Sequence, residues 1–218
     1  MNAIAEGVVP PFTATLQGRN IFAEDTRGLK LDLGCGSRKQ PGFTGVDIGG
    51  NTAADVQMDV LECLRNLRDN SVDEIYSRHY MEHVEPRQFG AMMREINRVL
   101  SSQGRARIIV PHYSNPYFYS DPTHRLPFGV HTFSYVCESS CLERQVPKYA
   151  SIAGLRLIDV KVRFEGLKRP RLLGIRLPVL SDFLNPFVNR SHRAIERFER
   201  YFAGVFSIYE VSFTIEKS

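Results

Sequence analysis

The stretch Leu29-Lys-Leu-Asp-Leu-Gly-Cys-Gly36 decides the fold of this chain. Its leucines alternate with polar residues, which predicts a short buried strand with Asp32 near its carboxyl end. Gly34 and Gly36 follow at once. Because neither carries a Cβ, the backbone there can turn sharply and approach a ligand. Ligands of open parallel sheets lie beyond the carboxyl ends of the strands, so we expect a nucleotide-like cofactor at this turn.

The composition is that of an ordinary globular protein. The 218 residues, 43% hydrophobic and 24% charged, suit one α/β domain with decorations. A net charge of +4 is too small to indicate nucleic acid binding by itself. The four cysteines lack the close pairing of a zinc site or a disulfide framework. With no signal-peptide pattern and no apolar run of about 18 residues, we expect a cytoplasmic protein.

Strand signals recur up to Pro111. They cover roughly 29–34, 43–48, 54–60, 70–77 and 106–110. Between 86 and 101, apolar residues recur at three- and four-residue spacing, which predicts an amphipathic helix. Only residues 37–42 separate the first two strands, so the first crossover helix should be cut to a turn or two. This order predicts an α/β fold with a largely parallel sheet.

The carboxyl-terminal part alternates in the way of strands with one solvated face. The pattern covers 155–165 and the closing segment 205–216, which we predict to form an antiparallel pair at the end of the sheet. They bracket a basic insert, 166–204. An amphipathic basic helix can lie on an anionic membrane surface, pack on its own domain or pack on a second subunit. Peripheral contact with the inner membrane face and a homodimer are therefore both open.

Several short motifs follow one another in a characteristic order and spacing. They are Leu31-Asp-Leu-Gly-Cys-Gly36, Gly45-Val-Asp-Ile48, Met58-Asp-Val60, Ser71-Val-Asp-Glu-Ile-Tyr76, Glu82-His83-Val84 and Glu95-Ile-Asn-Arg-Val-Leu100. Together they resemble the class I S-adenosylmethionine-dependent methyltransferases. The later part, with Asp121-Pro-Thr-His124, is more loosely similar to bacterial methyltransferases of surface-glycan or secondary-metabolite pathways.

The resemblance implies a single domain, 1–218, on a Rossmann-like, seven-stranded, mostly parallel sheet. Residues 29–111 would be the cofactor core and 112–150 an aromatic, histidine-rich substrate insert. Asp47 would accept hydrogen bonds from the ribose hydroxyls, and Asp59 from the adenine amine. The cofactor would be S-adenosylmethionine, held by Asp32, Gly34, Cys35, Gly36, Asp47, Ile48, Asp59, Val60 and His79.

A general base is needed only if the acceptor is a neutral hydroxyl or a protonated amine. We expect His124 or His112 in that role, with Asp121 as an orienting partner, on the ground of their position in the insert. Packed or exposed histidines are the alternative. The histidine spacing of the insert matches no closed zinc pattern, so no metal is predicted. Glu82-His83 could equally be a structural pair or part of the pocket lining.

Two other functions compete with methyl transfer. A dinucleotide-binding dehydrogenase is disfavoured, because Lys39 replaces the third glycine and Asp47 follows Gly36 by only eleven residues rather than about twenty. A catalytically silent module that binds cofactor or a partner is the second. We expect methyl transfer to an oxygen or nitrogen of a small molecule or sugar, including a lipid-linked one. Nucleic acid is disfavoured as a partner.

Overall fold

The computed structural model describes residues 15–16, 19–22, 28–165, 171–172, 175–176 and 180–218. One mixed sheet dominates them. Its strands are β1 (Leu29–Leu33), β2 (Thr44–Asp47), β3 (Val56–Gln57), β4 (Val72–Arg78), β5 (Leu100–Pro111), β6 (Cys137–Ser140), β7 (Ile152–Arg163) and β8 (Glu210–Lys217). The spatial order is β3-β2-β1-β4-β5-β8-β7-β6.

The first five strands are parallel, and β8 runs antiparallel to both of its neighbours. The predicted fold class is therefore confirmed. The sheet has one strand more than expected, because β6 pairs with β7 in parallel. β6 is therefore the edge strand, and the antiparallel pair β7–β8 lies one strand in from the edge.

Four helices of the described chain accompany the sheet. They are α1 (Val60–Asn66), α2 (Pro86–Val99), α3 (Leu180–Val188) and α4 (His192–Phe202). Pro86 is well suited to the first position of α2, because a backbone N–H at that position would have no partner within the helix. Between β1 and β2 the structure has turns and no helix, so even the shortened crossover helix that we predicted is absent there.

The register of the sheet separates two faces. Leu31, Ile75, Ala106 and Ile215 lie side by side on four adjacent strands, and all are buried. Their neighbours on the opposite face are Asp32, Tyr76, Arg107 and Thr214. The apolar face holds the core, and the buried side of α2 (Met92, Met93, Ile96, Val99) joins the same core cluster.

The order in which strands are added to the sheet reverses at β1, since β2 lies on one side of β1 and β4 lies on the other. Such a switch point leaves a crevice at the carboxyl ends of the strands. The expected lead-in at 1–28 and the first part of the basic insert lie largely outside the described residues. None of the described helices is long and apolar enough to cross a bilayer.

Candidate active site

The turn after β1 takes the left-handed backbone that its glycines permit. Gly34 has φ 66° and Gly36 has φ 53°. A Cβ on Gly34 would overlap the ring of Tyr80, whereas a Cβ on Gly36 would meet nothing within 4 Å. We had expected both glycines to let a ligand approach. Only Gly36 leaves open space, and Gly34 makes room for Tyr80.

Asp47 stands at the carboxyl end of β2 and ties two turns together. Its Oδ2 accepts a hydrogen bond from the N–H of Gly36 at 2.9 Å, and its Oδ1 accepts one from Gly49 at 2.8 Å. Each oxygen keeps a second lone pair for a further donor. The next side chain, Ile48, is 71% exposed. An acceptor beside an open apolar surface fits a ribose followed by a flat heterocycle.

Asp59 is the N-cap of α1. Its Oδ1 accepts from the N–H of Glu62 at 2.9 Å, which leaves Oδ2 without a bond to this helix. Val60 is 2% exposed and lies in the core. The expected contact between the Val60 side chain and adenine is not available in this structure.

Asp32 and Lys39 are engaged within the loop that replaces the first helix. Asp32 is buried, which raises its pKa, and its Oδ2 accepts from the N–H of Gln40 at 2.7 Å. The ammonium of Lys39 contacts both carboxylate oxygens of Asp55, at 2.7 and 2.6 Å. Lys39 is therefore not free to meet a cofactor carboxylate. Burial also raises the pKa of the Cys35 thiol to about 11, so this thiol stays neutral and is a poor nucleophile.

His79 follows β4 with φ 55°, an uncommon conformation for a residue with a side chain. Its Nε2 lies 2.6 Å from Oε1 of Glu210, and its Nδ1 lies 3.2 Å from Oε1 of Glu82. The bonds to Glu210 and Glu82 outweigh burial and raise the pKa of His79 to about 9. The ring thus stands at the carboxyl end of β4, one strand away from the glycine turn.

His124 lies in the loop between β5 and β6, beside His83. The two ring centroids are 4.8 Å apart. Nδ1 of His124 lies 2.8 Å from the carbonyl oxygen of Phe118, and its Nε2 lies 3.7 Å from Oδ2 of Asp121. Asp121 instead accepts from the N–H and the hydroxyl of Thr123, at 2.8 and 2.6 Å. It stabilises its own turn and makes no hydrogen bond to His124.

His112 is fully buried at the end of β5. Its Nε2 lies 2.9 Å from Oε1 of Glu199 on α4, and its Nδ1 lies 2.8 Å from Oγ of Ser114. Both ring nitrogens have partners, and no part of the ring is open to an acceptor. The structure therefore does not support His112 as a general base. The interaction was not visible in the sequence, because the two residues are 87 positions apart.

A cavity of about 660 Å³ lies between α4 and the chain that follows β5. It is lined by Tyr113, His131, Glu143, Arg144, Arg193, Glu196, Arg197, Glu199, Arg200 and Tyr201. The sequence left three places for the arginine stripe of α4: a membrane surface, a second subunit or its own domain, with the arginines solvated in the last two. Arg193, Arg197 and Arg200 are exposed, whereas Glu196 and Glu199 between them are half-buried and contact the segment that follows β5.

The carboxylates of the cavity are bound internally. Glu143 pairs with Arg193, while Glu196 and Glu199 accept from backbone N–H groups of the 130–144 segment. Within the described residues, the guanidinium groups of Arg144 and Arg197 have no hydrogen-bond or ion-pair partner. The cavity therefore offers free positive charge to a ligand.

Residues 31–108 match a family model described as a methyltransferase domain. This span runs from β1 to the carboxyl-terminal half of β5 and includes the glycine turn, Asp47, Asp59 and His79. The comparison with curated proteins finds no match for the chain.

Among solved structures, an S-adenosylmethionine-dependent methyltransferase from Archaeoglobus fulgidus is 20% identical, covers 88% of both chains and has a TM-score of 0.58. The complex of the Haloferax volcanii Trm112 activator with a putative methyltransferase matches at 16% identity, 87% and 81% coverage and a TM-score of 0.43. A Burkholderia thailandensis 1,6-didemethyltoxoflavin N1-methyltransferase matches at 16% identity, 87% and 71% coverage and a TM-score of 0.44. The first of these supports the fold, and the family match supports the chemistry. Residues 31–108 thus resemble a methyltransferase domain, and the described chain shares the fold of the Archaeoglobus fulgidus structure.

Proposed function

We propose that the domain transfers a methyl group to an oxygen or nitrogen nucleophile of a small molecule or a sugar, including one carried on a lipid. The cavity beside α4 is the observation that carries the proposal. Small-molecule sites have volumes of about 300–1,000 Å³, and this one has about 660 Å³. Tyr113, one of its lining residues, follows β5 by two residues and so lies near the carboxyl edge of the sheet, which also carries the glycine turn.

S-adenosylmethionine supplies a methyl group that is already electrophilic. The protein then has to orient the two reactants and exclude water from between them. Asp47 is suited to hold the ribose and Ile48 to cover one face of the adenine. His79 borders the methionine end. The open backbone at Gly36 lets the cofactor lie close to the carboxyl edge, where the acceptor cavity begins.

A hydroxyl acceptor must also lose its proton. With His112 buried, we keep His124 as the base candidate, and its side chain is 12% exposed. Its Nδ1 is occupied by the Phe118 carbonyl, whereas Nε2 makes no hydrogen bond within the described residues. That nitrogen is available to a proton or to a cation.

Contact with the inner membrane face belongs to the same proposal. α3 exposes Leu180, Phe183 and Phe187, at 57%, 62% and 58%, and these positions share one side of the helix. Exposed apolar side chains next to a basic segment favour a lipid surface. Sedimentation with anionic vesicles tests this contact, and Phe183→Ser should weaken it. If the vesicles do not bind and the chain is dimeric in sedimentation velocity, the patch is a subunit interface instead.

Calorimetry with S-adenosylhomocysteine tests the cofactor site. Asp47→Ala should weaken binding at least tenfold, because two ribose hydroxyls lose a charged acceptor. The matched control is Asp73→Asn, which changes a carboxylate at the opposite edge of the sheet and should bind normally. A methylated product separates an enzyme from a silent binding module. Normal binding by Asp47→Ala would refute the assignment of the site.

A further inference from the structure

We propose that Glu82, His83 and His124 bind one divalent transition-metal ion. Glu82 and His83 belong to the short 3-10 helix Met81–His83, which follows β4. His124 comes from the loop after β5. One ligand atom from each side chain lies within 4.8 Å of the other two. Two imidazoles and one carboxylate around a common point are a metal-binding donor set.

Glu82 carries the first argument. Its side chain is completely buried, and its Oε1 faces Nδ1 of His79. Its Oε2 is also buried and has no hydrogen-bond partner. A buried acceptor without a partner is destabilising, and more so when it is charged. A bound cation would satisfy this oxygen.

The protonation of the two histidines carries the second argument. Thr123 Oγ1 donates its proton to Asp121 at 2.6 Å, so it must accept from Nδ1–H of His83 at 2.9 Å. The Phe118 carbonyl can only accept, so Nδ1 of His124 also carries a proton. The neutral tautomer of each ring that these hydrogen bonds select has its lone pair on Nε2. Metal-binding histidines are oriented in this way, with the other ring N–H donated to an oxygen.

The rings are held in place without a metal. His83 and His124 meet edge to face, and Phe118 packs on His124 with centroids 5.0 Å apart and planes at 30°. A purely structural histidine pair would explain this packing and leave Oε2 of Glu82 unexplained. Imidazole ligands favour Zn²⁺, Fe²⁺ or Ni²⁺ over Mg²⁺ and Ca²⁺. Three protein ligands leave a coordination position open, as in catalytic zinc sites.

A role in the reaction rests on the proposed methyl transfer. The cluster does not line the cavity beside α4, so an acceptor would have to extend beyond that cavity for its hydroxyl to reach the open position, where the hydroxyl would be more acidic than in water. Its proton would leave to solvent, the C–S bond would break with its electron pair on sulfur, and the new bond would form between the methyl carbon and the oxygen. His124 would then be a metal ligand and not the base.

Equilibrium dialysis of the full chain, stripped with a chelator, tests the site directly. We expect one Zn²⁺ per chain, bound at least tenfold more tightly than Mg²⁺. His83→Ala and His124→Ala should each weaken Zn²⁺ binding about 100-fold or more. His192→Ala is the matched control, because this histidine pairs with Asp159 away from the cluster and should bind Zn²⁺ normally.

Glu82→Gln covers the case in which a histidine variant does not fold. Glutamine keeps an acceptor for His79 and removes the negative charge, so this variant should fold and still lose Zn²⁺. No Zn²⁺ uptake by the wild type, or equal uptake by Glu82→Gln, would overturn the proposal. Calorimetry with S-adenosylhomocysteine on the metal-free chain is independent of these outcomes, so a failure of the metal site and a failure of the methyltransferase assignment are distinguishable.

Discussion

At the scale of the residue, Gly34 and Gly36 share a left-handed backbone but differ in their surroundings. An alanine at either position is strained by about 1–2 kcal/mol. At Gly34 it must also displace the Tyr80 ring, so we predict a total loss of about 2–4 kcal/mol for Gly34→Ala. Urea unfolding of both variants measures the difference. Equal losses would show that Tyr80 moves away freely, and Tyr80→Ala in the Gly34→Ala background should recover part of the loss.

Asp59 combines a structural and a proposed binding role, and two substitutions separate them. Asp59→Ala removes the cap of α1 and should cost about 1 kcal/mol, whereas Asp59→Ser keeps a capping oxygen and should cost little. Both remove the carboxylate expected to face the adenine amine. We therefore predict about tenfold weaker binding of S-adenosylhomocysteine by both variants. If the serine variant binds normally, the cap is the only role of this residue.

At the scale of the element, Glu210 joins three strands at the carboxyl edge. Its oxygens contact Arg78 on β4 and Arg163 on β7, at 2.9 and 2.7 Å, as well as His79. Burial opposes its ionisation, but the bonds from His79, Arg163 and Arg78 outweigh burial and hold the pKa of Glu210 well below its usual range. The ionised group therefore stabilises these strands at neutral pH.

Linkage gives the sign of the resulting pH dependence. The folded pKa of Glu210 is depressed, so its contribution is complete above the unfolded value of about 4.3 and is lost as the pH falls toward the folded value. Glu210→Gln should cost about 1–3 kcal/mol at pH 7 and progressively less below about pH 4. Glu74→Gln, which breaks an exposed pair with Lys30, should change little at any pH. Urea unfolding at several pH values measures both, and a pH-independent loss in Glu210→Gln would contradict the linkage.

The strands and α2 were predictable because their signals are local. β7 and β8 alternate along their own sequence, and α2 shows helical spacing. The loop that replaces the first helix was not predictable from the sequence. It is stabilised by hydrogen bonds to Asp32 on β1 and Asp47 on β2, and not by a local pattern. β6 reads Cys137-Glu-Ser-Ser140 and has no β-branched residue to mark it. The cofactor residues that we expect rest on short local motifs and stay a prediction, whereas the burial of His112 depends on Glu199 far along the chain.

At the scale of the whole molecule, Glu199 connects the basic insert 166–204 to the carboxyl edge of the sheet. Glu199 on α4 accepts from the N–H of Val130 at 2.7 Å and meets the buried ring of His112 at 2.9 Å. The cavity wall formed by α4 depends on this interaction. Its loss should therefore loosen the acceptor side while the glycine turn and Asp47 stay in place.

A double-mutant cycle tests this view of His112. His112→Ala and Glu199→Ala should each cost about 3 kcal/mol, because each leaves a buried polar partner unpaired. The double variant should cost less than the sum, by about 1–3 kcal/mol. Urea unfolding measures the cycle, and calorimetry should find binding of S-adenosylhomocysteine preserved in the variants that fold. If His112→Ala instead keeps its stability and loses methyl transfer, while Glu199→Ala keeps both, His112 acts on the acceptor and the catalytic edge must open during turnover.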